Sequence, residues 1–232
     1  MSQGDAAQPA IGEKGYAVVA MHDRLTPEEF AILTAVYDDE LALDEWLPAG
    51  SRSRKRSYQR FSLTVADLRF EPEADPGPYI QSMSVNPLQG GIERIFRVIS
   101  PEHPVTAVTR KLAHSVAADL VAADVLNAER TPEVAVDVHF IRIAAPGEPA
   151  PEGIHRDGLL GGSVHLVHRE NITGGLSEVY DNTQTSLAEF QLDEPLKSLV
   201  FDDSRVLHYT HPILPADPDC PSYRDVLLIG FR

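Results

Sequence analysis

The strongest constraint on this chain is an alternation of period two that sets in after residue 130. Val134, Val136, Val138 and Phe140 alternate with Ala135, Asp137, His139 and Ile141. Successive side chains of a strand point to opposite faces, so this segment reads as a strand and not as a helix. Further short candidates follow at Ser163 to His168, Ser177 to Asp181, Ser198 to Phe201, Val206 to Thr210 and Arg224 to Phe231. Turn signals separate them: Pro146-Gly147, Gly161-Gly162, Gly174-Gly175 and the stretch from Pro215 to Pro221. Many short strands at this spacing predict an antiparallel sandwich or jelly roll. A glycine-rich strand-to-helix turn is absent from the sequence, which argues against a dinucleotide fold.

The first 130 residues have a different texture. The first ten are expected to fray, and Gly15 to Ala20 reads as a strand. Thr26-Pro27-Glu28-Glu29 opens a helix, with Thr26 as cap, Pro27 in the first turn and Glu29 completing a capping box. A second helix is predicted from about Pro104 to Ala123, where Val105, Val108, Leu112, Val116 and Leu120 form one stripe. Ser57 to Val65 and Pro78 to Val85 look like strands between them. The expected architecture is one mainly β domain over residues 1–232, a double-stranded β-helix (cupin-like) with flanking helices. About 1–130 would supply helices and supporting strands, and about 131–232 the half that carries chemistry.

Charge narrows the function classes. With 35 acidic and 20 basic residues the formal charge is −15, which disfavours nucleic acid as a partner. The one basic run, Arg52 to Arg56, reads as a solvated loop. The single cysteine, Cys220, excludes an internal disulfide and a cysteine-rich metal site. No apolar run reaches membrane-spanning length, and Met1 to Ala10 lacks the order of a signal peptide. A cytoplasmic protein without membrane contact is the expectation.

Nine histidines are present, five of them between residues 155 and 211. In Gly153-Ile154-His155-Arg156-Asp157-Gly158, His155 and Asp157 would share a face of an extended segment and could present nitrogen and oxygen to one ion. A third ligand from a distant strand would make a two-His, one-carboxylate triad with open positions, the arrangement of Fe(II) oxygenases. With nine His and 18 Asp in 232 residues, His-x-Asp arises by chance roughly 0.7 times in such a chain. On spacing alone the pair competes with solvated loop residues, and His168-Arg169-Glu170 is a nearby rival. His208 on a downstream strand and Arg224 at the start of another add weight, since arginine can clamp a dicarboxylate with two parallel hydrogen bonds.

An ordered set of motifs carries a resemblance: Glu152 to Gly158, Asn171 to Gly175, Ser177 to Asp181, Phe201 to His208, and Tyr223-Arg224-Asp225-Val226-Leu227. The chain resembles the small bacterial 2-oxoglutarate-dependent Fe(II) dioxygenases related to L-isoleucine 4-hydroxylase, from about Tyr58 onward and most strongly after Val134. The resemblance implies Fe(II) as metal, 2-oxoglutarate as co-substrate and dioxygen as oxidant. It implies His155, Asp157 and His208 as catalytic metal ligands and Arg224 as the 2-oxoglutarate anchor. His211 competes with His208 and is read as a neighbouring or surface residue. His165 and His168 are read as ordinary strand or loop histidines, and His139 as a residue that could line the site. Val226 departs from the family pattern, in which a Ser or Thr follows the arginine by two, so a second hydrogen bond would come from elsewhere, with Tyr209 and Ser222 as candidates. The implied substrate is a free aliphatic L-amino acid, its charged groups sought among Arg142, Tyr58, Arg60 and Tyr180. The competing readings are a cupin-like metal-binding protein or sensor without 2-oxoglutarate dependence, and a structural interaction protein.

Overall fold

The computed structural model describes residues 7–47 and 52–232. Its helices are α1 (Ala7–Lys14), α2 (Pro27–Asp39) and α3 (Val105–Ala122). Its strands are β1 (Tyr16–Ala20), β2 (Ala42–Leu43), β3 (Arg54–Thr64), β4 (Arg69–Pro72), β5 (Arg97–Val98), β6 (Glu133–Ala144), β7 (Gly161–Glu170), β8 (Ile172–Gly174), β9 (Leu176–Tyr180), β10 (Ser186–Gln191), β11 (Lys197–Asp202), β12 (Leu207–Thr210), β13 (Ile213–Pro215) and β14 (Tyr223–Phe231). The large sheet runs β1-β11-β7-β14-β6-β3-β2, with β4 and β5 also paired to β3. A three-stranded sheet, β10-β9-β12, and the pair β13-β8 complete the β structure. The fold is mainly β, a jelly roll with helices on one face. The two halves of the chain share one sheet, because β3 pairs with β6 along eleven residues, from Arg54↔Ile143 to Thr64↔Glu133.

The alternation in β6 is the key to the layers. Val134, Val136, Val138 and Phe140 pack into the same core as Leu33, Val36, Leu112, Val116 and Leu120 of the helices. Each such side chain, removed from water, stabilises the fold by roughly 1.5–3 kcal/mol. The odd residues Asp137, His139, Ile141 and Ile143 are also buried, but on the opposite face. There Ile141, Ile143, Leu166 and Val226 pack with Leu192 and Ile213 from the smaller-sheet side. Charged and imidazole groups on this second buried face are a reason to look for a ligand there.

The capping box of α2 forms as expected, Glu29 N–H donating to Thr26 Oγ1 at 3.2 Å and Thr26 N–H to Glu29 Oε2 at 2.8 Å. Three expectations are corrected. The N-terminal stretch is helical from Ala7, because Ile11 is fully buried and Arg205 donates to the carbonyls of Gly12 and Glu13, each at 2.7 Å. Pro78 to Val85 is not a strand; only a Tyr79↔Arg94 bridge forms, and turns follow over 83–91. The basic run is not a solvated loop: Arg54 and Arg56 open β3 and face inward, while Lys55 is exposed. No helix among the described residues is long and apolar enough to cross a membrane.

Candidate active site

His155 and Asp157 lie on the loop between β6 and β7, and His208 on β12. Two backbone hydrogen bonds, His155 N to His208 O at 3.1 Å and His208 N to His155 O at 2.9 Å, clip the loop to the strand. The His155 Nδ1–H donates to the Gly153 carbonyl at 2.8 Å, which leaves the Nε2 lone pair free. That atom is 3.7 Å from Asp157 Oδ1, and His208 Nε2 is 3.6 Å from Asp157 Oδ2. The three potential ligand atoms lie within 4.8 Å of one another. The loop can turn this tightly because Gly153 and Gly158 have φ of +80° and +76°.

Asp203 holds the loop from below. Its buried carboxylate accepts from the backbone N–H of Asp157 at 3.0 Å, Gly158 at 2.7 Å and Leu159 at 2.8 Å. Burial, and then the neighbouring Asp157, raise the Asp203 pKa, while the N–H donors lower it. The Asp157 carboxyl is also raised, first by loss of bulk water within the cavity. Burial, with His155 adding to it, pushes His208 down to about 3. Neutral imidazole and a carboxylate short of countercharge fit a bound divalent cation, and two nitrogens with one oxygen suit Fe(II).

The triad opens into a cavity of about 420 Å³ between the large sheet and the loops over 79–94 and 149–159, a size ordinary for a small-molecule site. Arg224 lines it from β14 and is 2% exposed. Its Nε and Nη2 have no hydrogen-bond partner among the described residues. Burial, and then Arg169, lower its pKa to about 10. An unpaired buried cation is costly, so a ligand carboxylate matches this position. Arg54, Arg56 and Arg94 also line the cavity, as do Glu152 and His139. Burial first, and then Arg56, Arg94 and other arginines, hold the His139 pKa well below the usual imidazole range.

The remaining sequence candidates are elsewhere. Arg142 is on the helix-facing side, held by Asp225 (2.7 and 2.8 Å) and Asp38 (2.8 Å), with its guanidinium 4.1 Å over Tyr223. Tyr58 donates to Asp137 and stacks on His139, while Arg60 Nε bonds Asp137 at 2.8 Å. Tyr180 donates to Glu178, which also takes His211 Nε2 at 2.9 Å. None of Arg142, Tyr58, Arg60 and Tyr180 lines the cavity, and each is held by an internal partner. His208 is buried, whereas His211 is 42% exposed at its side chain. His165 is buried between Ser163 and Ser198, and His168 is half-exposed beside Glu170. Ser222 is bound to Asn171 and Cys220, and Thr210, not Tyr209, reaches the cavity wall. Asp203, Arg54, Arg56, Arg94 and Glu152 were not singled out as site residues. A visible signal is the i, i+2 spacing of Arg54 and Arg56, which puts both on one face of β3.

The model of the 2OG-Fe dioxygenase family matches residues 35–230. A bsmA homolog from Methylobium petroleophilum PM1 superposes with a TM-score of 0.81 at 27% identity, covering 100% of this chain and 93% of that one. IDO from Bacillus thuringiensis gives 0.77 at 21% identity, covering 100% and 96%. The Fe(II)/α-ketoglutarate-dependent dioxygenase TqaL gives 0.73 at 16% identity, covering 97% and 85%. No curated protein matches the sequence. The family match sets aside the sensor and structural readings. With its jelly roll and its His-Asp-His cluster, the chain belongs to the 2OG-Fe dioxygenase family, enzymes that use Fe(II) and 2-oxoglutarate.

Proposed function

We propose that the protein hydroxylates a free, mainly aliphatic L-amino acid. His155, Asp157 and His208 hold Fe(II), and Arg224 takes the C5 carboxylate of 2-oxoglutarate through its unpartnered N–H groups. Bound Fe(II) with 2-oxoglutarate and dioxygen supplies the oxidising chemistry: succinate and carbon dioxide leave, and one oxygen atom is inserted into a C–H bond of the substrate. The chain's own contribution is orientation and dryness. Asp203 fixes the ligand loop, and Ile141, Ile143 and Val226 keep water from the neighbourhood of Arg224.

The observation that carries the substrate reading is the lining beyond the triad and Arg224. It holds charge of both signs, with cationic Arg54, Arg56 and Arg94 and the carboxylate of Glu152, beside aliphatic Val164, Val226 and Leu228. A small zwitterion with an apolar side chain matches such a wall, because each charged end must find a partner when buried. The resemblance to isoleucine 4-hydroxylase relatives supports the same class. The test is succinate release from Fe(II), 2-oxoglutarate, ascorbate and single L-amino acids, with mass analysis of the products. An aliphatic amino acid should stimulate succinate release and gain one oxygen. If only a peptide or a lipid does so, the substrate reading is wrong and the dioxygenase assignment stands.

A further inference from the structure

The cavity contains more buried positive charge than one dicarboxylate can use. With 2-oxoglutarate held at the metal by its C1 end, its one free carboxylate would be at C5, and Arg224 would take it. Arg56 and Arg94 are then left over. The Arg56 guanidinium lies 4.6 Å from the Phe96 centroid, and that of Arg94 5.9 Å from the same ring and 5.0 Å from Tyr79. The outer nitrogens of Arg94 are met by neutral amide oxygens, Gln89 Oε1 at 2.7 Å and Gln81 Oε1 at 2.5 Å. The nearest carboxylate to Arg56 is Asp44, at 3.8 Å, beyond hydrogen-bond range. The Nε atoms of both arginines are buried without a partner among the described residues. Arg94 itself is only 4% exposed. Two cations converge on one aromatic ring, Arg94 with neutral partners and Arg56 with one carboxylate beyond hydrogen-bond range, and their spare donors leave a place shaped for an anion.

The sheet register separates this place from Arg224. Arg224, Ile143 and Arg54 form one row across β14, β6 and β3, and Val226, Ile141 and Arg56 form the next. Arg56 therefore stands two strands away from the strand of Arg224, roughly 10 Å across the sheet. We propose that Arg56 and Arg94 form a second anion subsite that binds the carboxylate of the primary substrate. The inference rests on the dioxygenase reading and adds to it the orientation of the substrate. The carboxylate is held beside Tyr79, which lines the cavity with Arg56 and Arg94, and the rest of the molecule is free to extend toward the triad.

The experiment uses the full chain loaded with Mn(II) and saturated with 2-oxoglutarate under nitrogen. Calorimetric titration compares L-isoleucine, L-leucine, N-acetyl-L-leucine and L-isoleucinamide. For the wild type, acids should bind at least about tenfold more tightly than the amide. In Arg56→Met and Arg94→Met the preference for acid over amide should collapse, while 2-oxoglutarate affinity stays within about twofold. A variant that merely loosens the fold would weaken acid and amide together. Arg56→Lys and Arg94→Lys should retain part of the preference, since the charge remains without the fork. The proposal is overturned if no acid in the panel binds, if the variants keep the acid preference, or if Arg56→Met loses 2-oxoglutarate binding instead. If N-acetyl-L-leucine binds with arginine dependence and the free amino acids do not, the subsite stands and the free-amino-acid reading fails.

Discussion

At the scale of single residues, the site is defined by donors that the protein leaves unmet. Arg224 is the clearest case, a buried guanidinium on an apolar bed of Ile141, Ile143 and Val226. Arg224→Lys keeps a charge but not two parallel N–H groups. The apparent KM for 2-oxoglutarate should rise at least about tenfold, corresponding to about 1.4 kcal/mol or more. The thermal shift on adding Mn(II) should stay unchanged. Wild-type kinetics in this variant would refute the assignment. The ordered motif set points to His155, Asp157, His208 and Arg224, and the four line one cavity. Nothing in the sequence singles out Arg94, and His139 is read there only as a residue that could line the site. Whether an arginine is spent on an internal partner, as Arg142 is on Asp225, depends on contacts between residues 83 positions apart, and no local pattern records these.

Among elements, the loop from Gly153 to Leu159 depends on β11 and the turn after it. Among the described residues, Asp203 alone accepts from three consecutive backbone N–H groups of that loop. Asp203→Asn keeps the size but weakens the acceptors and introduces a donor facing other donors. Metal affinity should fall about 10–100-fold, as for other residues that support ligands. Competition for Mn(II) with a chelator of known strength measures this, and an affinity equal to wild type would remove Asp203 from the assembly. The long strands and both long helices were legible because periodicity and capping are local. Short strands such as β2, β5 and β13, of two or three residues, have no period to read. Pro78 to Val85 reads as a strand, yet the buried Asn86 and Arg94 bond to Gln81 and Gln89 and hold the segment as a loop.

For the molecule as a whole, buried titratable groups set the response to acid. His165 is fully buried between Ser163 and Ser198, and burial pushes its pKa down to about 3. Its ordinary value is about 6.5, so the folded state is the weaker proton binder. Stability is then fully present above about pH 6.5 and is lost as pH falls toward 3, by up to about 1.4 kcal/mol per pH unit from this group. Denaturant unfolding of wild type and His165→Asn between pH 6.5 and 4 checks the sign. The variant should show a slope shallower by one proton, and equal slopes would mean that His165 is already protonated in the fold. Mainly-β architecture followed from alternation and turns. The order of strands did not, because pairing β14 between β6 and β7 is a choice among distant partners.

That placement of β14 bears on how the protein is made. Arg224 belongs to a strand inserted between two earlier ones, with Ile143↔Arg224 on one side and Arg224↔Arg169 on the other. During synthesis β6 and β7 emerge well before the strand that joins them, and each waits with an open edge. The nascent sheet is divided until residues 223–231 arrive, so the closing step is a long-range one and the incomplete chain is the aggregation-prone species. The same nine residues that complete the sheet carry Arg224, so a ribosome-bound chain that lacks them has neither the joined sheet nor the guanidinium that lines the cavity.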